Sequence, residues 1–441
     1  MRSWQTVMIH RDAAWHKAET QKAVRAVRPW RLLFTRDFGL IWLSQLVSQV
    51  GDGISNLALL WFVYSITGSP VKTTIIGLLH TIPPIVLGPL IGVYVDRLPK
   101  KFFLIGSNLF RAVLIGIIPC AVSTDTFTVN LLYVLVFLDA VAVAMFNPAL
   151  TSSVPLIVPR AQFTAANALI QSTTSLGIIF GPALSGLGIA FFGSQEVLCL
   201  NAGTYFVAAL CLGFVRLGTV QASDGPQRTG GSAFQDLVEG ITFVAKKQRV
   251  ILLLVATAGC YAFGASALTT LFPVFARKLL GLGPVEVGYL WSALGVGLLL
   301  MSMVLLRFSG WNLSDRTRII AGASVASAVG IGVLVWTHNL WLVGLLMIVI
   351  GGGMGAFTPI AWGIVQELTP RMMVGRVLGL YSAGAMTAAI SGISMFGWIT
   401  ERFGESTGVA GIGATFLLTA SLGGWLSWSI RTRMRGTHGT C

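Results

Sequence analysis

The stretch GPLIGVYVDRLPKK, residues 88–101, joins a glycine-spaced apolar run to a compact group of charges. Only 10% of the chain is charged, yet this stretch places four charges within six positions: Asp96, Arg97, Lys100 and Lys101. An apolar segment of about 20 residues can cross a bilayer as a helix, whereas charged side chains favour the water beyond it. The stretch therefore predicts a transmembrane helix that ends at a membrane surface.

The composition of the whole chain points to a membrane protein. Of its 441 residues, 54% are hydrophobic, and the mean hydropathy is +0.79. A soluble domain carries about 25% charged residues, far more than this chain does. Twelve apolar stretches are long enough to span a bilayer, which predicts an all-α integral membrane protein. They lie near 38–64, 71–95, 102–122, 127–148, 164–192, 196–216, 250–275, 285–306, 318–336, 340–366, 377–399 and 408–430.

The net charge of +14 is distributed as in a multi-pass membrane protein. If the N-terminus is cytoplasmic, 25 of the 30 Lys and Arg residues fall in segments on the inner side. This positive-inside bias predicts cytoplasmic N- and C-termini in a bacterial-type inner (plasma) membrane. Basic residues there contact the anionic surface of the lipid bilayer. We therefore expect the bilayer as a partner, and no nucleic acid.

The chain divides into two halves of six helices. We predict a basic cytoplasmic segment at 1–37, six-helix bundles at 38–218 and 249–430, a linker at 219–248 and a tail at 431–441. The linker starts as a Gly, Ser and Pro-rich segment and continues, from Ser232, as an amphipathic helix. The first segment is either an amphipathic stretch on the inner surface or disordered.

The two halves repeat each other. Residues 148–193 align without a gap to 359–404 at a constant offset of 211, and both contain a Pro-Arg loop followed by a glycine-bearing helix. Six plus six helices in the same orientation form a parallel repeat around an axis along the membrane normal. Such repeats place the substrate site at their interface and transport by alternating access.

The chain resembles the major facilitator superfamily. The signature of that family after helix 2 is Gly-x-x-x-Asp-Arg-x-Gly followed by two basic residues. It is matched here except that Pro99 replaces the inner glycine; the matching residues are Gly92, Asp96, Arg97, Lys100 and Lys101. The stretch QLVSQVGDGISNLALLWFVYSITGSP, residues 45–70, is similar to the drug/proton antiporter branch that contains macrolide-efflux proteins and the enterobactin exporter.

The resemblance implies a cytoplasmic gate at the opening stretch. Asp96 would meet the positive N-terminus of helix 11, near Gly375–Val377, and together with Arg97 would hold the cytoplasmic side shut. A carboxylate at a helix N-terminus contributes about 0.3–2 kcal/mol, weak enough to break in each cycle. For Lys100 and Lys101, a role in fixing the topology alone is an equal alternative.

A second signature on helix 5 is typical of exporting antiporters. It is matched by Gly177, Gly181, Pro182 and Gly186, with Ser185 in place of one glycine. The glycines lie about four residues apart on one helix face, and Pro182 can kink the helix. They predict either a close, bendable contact between the halves or plain helix packing.

Four ionisable residues lie far from the helix ends, all in the first half: Asp52, His80, Arg111 and Asp139. A charge at the bilayer centre costs at least about 2.5 kcal/mol if it faces lipid, so these groups face a cavity, pair or lose their charge. Arg111 and Asp139 fall at similar depth, which predicts a structural ion pair or a coupling pair. His80 is either a proton-exchanging residue or a hydrogen-bonded packing residue.

Asp52 lies in a polar stripe on helix 1. Gln45, Gln49 and Asn56 stand seven and three residues before it and four after it, on one helix face. Helix 1 lines the cavity in the family, so we predict this stripe to be the substrate and proton site. The alternative is that Asp52 has no role in transport and only forms, together with Gly51 and Gly53, a break in the helix.

These features predict a secondary transporter that exports a hydrophobic small molecule, drug-like or macrolide-like and either neutral or cationic, and is driven by the proton-motive force. An anionic siderophore exporter, another metabolite exporter or an uncoupled facilitator is the nearest alternative, with Arg111 carrying the substrate charge. A receptor or scaffold without transport is less favoured because the Asp96 motif is intact. We expect no cofactor, metal or enzymatic activity, since no phosphate loop, catalytic triad or metal-spaced cluster is present. We expect a monomer.

Overall fold

The computed structural model describes residues 29–97, 99–124, 126–159, 162–217, 242, 249–307, 312–337, 339–369 and 374–438. Within these ranges the side chains at 29, 88–97, 164–165, 249, 306–307, 374–376 and 431–438 are not described. The predicted linker helix at Ser232, most of the basic segment 1–37 and the end of the tail fall outside the described residues.

The described residues form a short 3-10 helix, Pro29–Phe34, followed by twelve α-helices, and they contain no strand. All twelve are long and apolar enough to cross a membrane, as the sequence predicts. They are α1 Arg36–Thr67, α2 Pro70–Arg97, α3 Lys100–Ser123, α4 Val129–Ile157, α5 Phe163–Phe192, α6 Ser194–Gly213, α7 Arg249–Leu279, α8 Pro284–Arg307, α9 Leu313–Leu334, α10 Leu340–Leu368, α11 Val374–Phe403 and α12 Glu405–His438.

Local sequence signals set the tight turns between helices. Helix α1 ends at Gly68, which adopts φ 63° and donates its amide to the Tyr64 carbonyl at 2.9 Å. Proline at the first position of α2 costs no hydrogen bond there, since the first amides of a helix have no partner within it. Successive helices joined this closely run antiparallel.

The final helix continues beyond its membrane span. The span ends at Ile430, where the sequence predicts the end of the apolar stretch, whereas α12 continues to His438. Arg431, Arg433 and Arg435 lie in this extension. Arginine has a high helix propensity, so the loss of apolar character at 430 marks the end of the apolar segment and not the end of the helix.

The two halves pack as copies of one design. In the first half α1 packs against α5 and α6, α2 against α4, and α3 against α4 and α6. In the second half α7 packs against α11 and α12, α8 against α10, and α9 against α10 and α12. Each helix of the second half thus has the neighbours of the helix six places before it. This arrangement is the predicted pair of pseudo-symmetric six-helix bundles.

Individual contacts repeat as well. Gly51 on α1 lies against Thr204 on α6, and Gly264 on α7 lies against Thr415 on α12; a Cβ at either glycine would collide with the threonine hydroxyl. The helices approach this closely because glycine presents no side chain, a common device in membrane bundles.

Among the described residues, the halves contact each other at the end of the molecule that carries the α1–α2, α5–α6, α7–α8 and α11–α12 connections. We call this end the loop end. Here α2 packs against α11 and α5 against α8. Gly186 on α5 faces Val285 and Gly288 on α8, and Gly397 on α11 faces Thr74 on α2. Gly186 and Gly397 are related by the offset of 211, so the closure at this end follows the internal repeat.

Candidate substrate and proton site

Arg111 holds three helices of the first half together. From α3 its Nε donates to Asp139 Oδ1 on α4 at 2.9 Å, and its Nη2 donates to Asp139 Oδ2 at 3.2 Å. The same Nη2 donates to Asp52 Oδ1 on α1 at 2.7 Å. The structure thus brings together three of the four ionisable residues that the sequence singles out inside the membrane.

Tyr205 on α6 completes the group, and the sequence analysis does not find it. Its hydroxyl accepts a hydrogen bond from Arg111 Nη2 at 2.7 Å and donates one to Asp52 Oδ1 at 2.6 Å. The Arg111 guanidinium carbon also lies 4.1 Å from the centre of the tyrosine ring, a cation–π contact. We call Asp52, Arg111, Asp139 and Tyr205 the charged cluster.

The members of the charged cluster differ in their exposure. The side chains of Arg111 and Asp139 are 6% and 3% exposed, whereas that of Asp52 is 31% exposed. Asp139 therefore serves as the buried, two-bonded partner of Arg111, and Asp52 forms the accessible edge. With both carboxylates ionised and Arg111 protonated, the cluster carries a net charge of −1, and Asp52 is its exposed carboxylate.

His80 lies on α2 beside the charged cluster and interacts electrostatically with Asp139, Arg111 and Asp52. Its Nε2 is buried and has no hydrogen-bond partner in the protein. The role of His80 in proton exchange stays a prediction.

The residues of the polar stripe on α1 differ in their exposure. Asn56 is exposed, Asp52 and Gln49 are half-buried, and Gln45 is buried with its Oε1 unpartnered. A Cβ at Gly177 on α5 would contact Gln49, so this part of the stripe packs against α5. The structure therefore leaves Asp52 and Asn56 as the accessible part of the predicted stripe.

Of the predicted gate motif, the structure describes the side chains of the two lysines only. Lys101 Nζ donates to the carbonyl oxygens of Gly213 at 2.7 Å and Val215 at 2.8 Å, at the end of α6. Cations are favourable at a helix C-terminus, so Lys101 caps α6. The side chains of Asp96 and Arg97 are not described, so the cytoplasmic gate that these two residues would form remains a prediction.

The helix-5 glycines differ in what they contact. Gly177 and Gly181 pack on Gln49 and Gly53 of α1, within their own half. Among these glycines Gly186 meets the second half, at α8. The contact between halves that the sequence suggests for the whole motif is thus found at Gly186, and the first two glycines serve packing inside the bundle. Pro182 lies within α5.

The second half carries an aromatic cluster on the helices that correspond to those of the charged cluster. Tyr261 on α7 stacks on Phe357 on α10, with ring centres 4.2 Å apart, and meets Phe416 on α12 edge-on at 6.0 Å. These three helices are the counterparts of α1, α4 and α6, which hold Asp52, Asp139 and Tyr205. Among the buried residues that the structure describes, the charged ones, Arg111 and Asp139, both lie in the first half.

Comparison with known proteins agrees with the architecture. The family profile of the Major Facilitator Superfamily matches residues 41–393, most of the chain. The multidrug efflux pump Tap of Mycolicibacterium fortuitum is 28% identical over 86% of this chain and 91% of its own length. Macrolide efflux protein A of Streptococcus pyogenes is 23% identical over 85% of this chain and 91% of its own length.

A solved structure shares the fold. The nucleoside transporter NupG, as its D323A mutant, superimposes with a TM-score of 0.69 over 90% of this chain and 99% of its own, at 12% sequence identity. At this identity the likeness concerns the fold alone.

Proposed function

Because the chain belongs to the Major Facilitator Superfamily, whose relatives named above are transporters, we propose that it is a proton-coupled exporter of hydrophobic, cationic small molecules. It is a multi-pass membrane protein with twelve helices able to span the bilayer among its described residues. The proposal covers the proton coupling, the substrate class and the direction of export. It also covers the location of the protein in a bacterial inner membrane with cytoplasmic termini, and its action as a monomer without a cofactor.

The observation that carries the proposal is the accessible carboxylate of Asp52 at the edge of the charged cluster. Arg111 carries one positive charge and binds two carboxylates, so the cluster holds one excess negative charge, and Asp52 is the more exposed of the two carboxylates. A proton or an organic cation can neutralise it, and a charge in an apolar bundle is costly without such neutralisation. Since one carboxylate cannot hold both at once, binding of one excludes the other.

This competition couples two fluxes when it is combined with alternating access. If the opposite end is open when the loop end is closed, Asp52 is reached from that end, which is cytoplasmic under the predicted topology. A cation entering there displaces the proton from Asp52. After the halves rock and the loop end opens, a proton from outside displaces the cation. The proton gradient thereby drives export.

The pairing of Arg111 favours a cationic substrate over an anionic one. Arg111 is buried and donates hydrogen bonds to two carboxylates and a hydroxyl, so an anion would have to displace a carboxylate from it. Replacing a charge-assisted hydrogen bond in a buried site loses about 1.5–3 kcal/mol unless the new partner matches it. The names of two relatives, a macrolide efflux protein and a multidrug efflux pump, support export as the direction of transport.

The test is drug-gradient formation in proteoliposomes that contain the full chain. We would measure efflux of ethidium, a lipophilic cation, and of a macrolide under an imposed pH gradient, for wild type and Asp52→Asn. We expect Asp52→Asn to abolish gradient-driven transport. Glu196→Gln is the matched control, because Glu196 lies in the first turn of α6, away from the charged cluster.

Gradient-driven transport by Asp52→Asn at the wild-type rate would refute the coupling role of Asp52. Transport of a catecholate siderophore, and of neither drug, would refute the substrate class and leave the fold and the family membership as they are.

A further inference from the structure

A carboxylate of the second half binds the start of a helix in the first half at the loop end. Glu401 lies near the end of α11, and its Oε2 accepts hydrogen bonds from the Ser69 hydroxyl at 2.6 Å and from the Val71 amide at 2.9 Å. Ser69 and Val71 flank Pro70, the first residue of α2. The contact therefore joins the two halves directly.

The first turn of α2 depends on this carboxylate. Pro70 has no amide hydrogen. The Lys72 amide donates to Ser69 Oγ at 3.2 Å, and the Thr73 amide donates to the Ser69 carbonyl at 3.2 Å. The Val71 amide is the remaining donor of this turn, and Glu401 accepts it. The first turn of α2 contains no acidic residue of its own, so Glu401 also supplies the negative charge that a helix N-terminus favours.

The symmetry-related contact between α5 and α8 lacks such a carboxylate. The position 211 residues before Glu401 is Ala190, on α5. Helix α8 instead carries Glu286 in its own first turn, with the carboxylate beside Gly283. The N-terminus of α8 thus has a carboxylate from α8 itself, whereas the N-terminus of α2 has one from the opposite half. This asymmetry indicates a role beyond helix capping.

The backbones lie close together one turn below. Thr74 on α2 is 2% exposed, and a Cβ at Gly397 on α11 would come within 2.6 Å of its Cγ2. The Glu401 contact therefore covers the outer edge of a tightly packed seam. Separating α2 from α11 must break both hydrogen bonds of Glu401 before the seam can open.

We propose that Glu401 is the latch of the loop-end gate, and that its bonds to Ser69 and Val71 set how much of the protein has this end closed. The contact lies at the surface, where water can replace both bonds, so the latch is weak and reversible. The proposal goes beyond the proposed function and holds for any substrate, because it concerns the equilibrium between the two states alone.

The test measures that equilibrium in the full chain without substrate. Spin labels at Asn130→Cys on α4 and Trp341→Cys on α10, in a cysteine-free background, report the distance across the loop end; both positions are exposed and outside the latch. In lipid nanodiscs we expect Glu401→Gln to raise the ratio of the long-distance to the short-distance population about five-fold. Glu401→Ala should raise it further, because it removes the acceptor as well as the charge.

Ser69→Ala removes the hydroxyl with which the first half donates to Glu401, and it should shift the populations in the same direction. Glu286→Gln is the matched control, since it removes a loop-end carboxylate that caps its own helix, and it should leave the ratio unchanged. Unchanged populations in Glu401→Gln and Ser69→Ala, or an equal shift in Glu286→Gln, would overturn the proposal.

Discussion

The two carboxylates bound to Arg111 should differ sharply in what their removal does to stability. Asp139 offers two acceptors to Arg111 and is 3% exposed, whereas Asp52 offers one and is 31% exposed. Asp139→Asn removes the buried counter-charge and leaves Arg111 with the half-exposed one. Asp52→Asn leaves the buried pair intact.

The expected magnitudes follow from these contacts. Removing one partner of a buried ion pair costs about 3–5 kcal/mol. Because Asp52 still balances part of the charge of Arg111, we expect Asp139→Asn to lie at the lower end, about 3 kcal/mol. For Asp52→Asn we expect about 1 kcal/mol, since the hydrogen bonds from Arg111 and Tyr205 are weakened and an amide oxygen can still accept both.

The double variant provides the sharper test. Asp52→Asn together with Asp139→Asn strands Arg111 in the bundle without a carboxylate, so its cost should exceed the sum of the two single costs. Residues that share one partner commonly show such coupling, of about 0.5–3 kcal/mol. The same reasoning predicts that Asp139→Asn also impairs transport, because Asp52 then becomes the permanent counter-charge of Arg111.

Unfolding by sodium dodecyl sulfate titration in mixed micelles, followed by tryptophan fluorescence, measures these differences in the free energy of unfolding. Glu196→Gln again serves as the control for loss of a carboxylate. Equal costs for the two single variants, or additive costs in the double variant, would refute the division of roles between Asp52 and Asp139.

Three further outcomes are expected from other contacts. Tyr205→Phe removes the hydroxyl shared by Arg111 and Asp52, so it should lower the free energy of unfolding by about 1–3 kcal/mol in the same titration and slow ethidium efflux; wild-type values for both would contradict the assigned contact. Asp96→Asn should favour closure of the loop end and thus offset Glu401→Gln in the spin-label distances if Asp96 is the opposite latch; an unaltered distribution in the double variant relative to Glu401→Gln would count against it. Lys101→Ala should cost about 0.3–1 kcal/mol of stability through loss of the α6 cap, whereas Lys100→Ala should not; equal unfolding curves would show that the cap contributes nothing.

Much of the architecture could be predicted because it depends on local properties of the chain. Hydropathy along the sequence indicates twelve helices, since each apolar segment must satisfy its own backbone in lipid. The internal offset of 211 predicts two equivalent bundles, and the matching contacts of Gly186 and Gly397 follow it. The charges inside the membrane could also be identified one by one, since each is conspicuous in an apolar segment.

The composition of the candidate site could be predicted only in part. Tyr205 gives no signal in the sequence, because a tyrosine in an apolar helix is equally suited to the core or to the membrane interface. Its role depends on α6 lying beside both α1 and α3, which brings its hydroxyl to Asp52 and Arg111. The sequence likewise predicts for Lys101 a role in the topology or in the gate, and only the structure shows that it binds the end of α6.

The sequence by itself determined the number of helices, the two-half repeat and the presence of costly charges in the first half, because hydropathy and periodicity act along the chain. The sequence also predicts the pairing of Arg111 with Asp139, which the structure shows. The tertiary structure alone decided that Asp52 joins this pair and is its accessible carboxylate, and that Glu401 joins α11 to α2. Periodicity tells which residues share a helix face, and only the packing of helices tells which other face they meet.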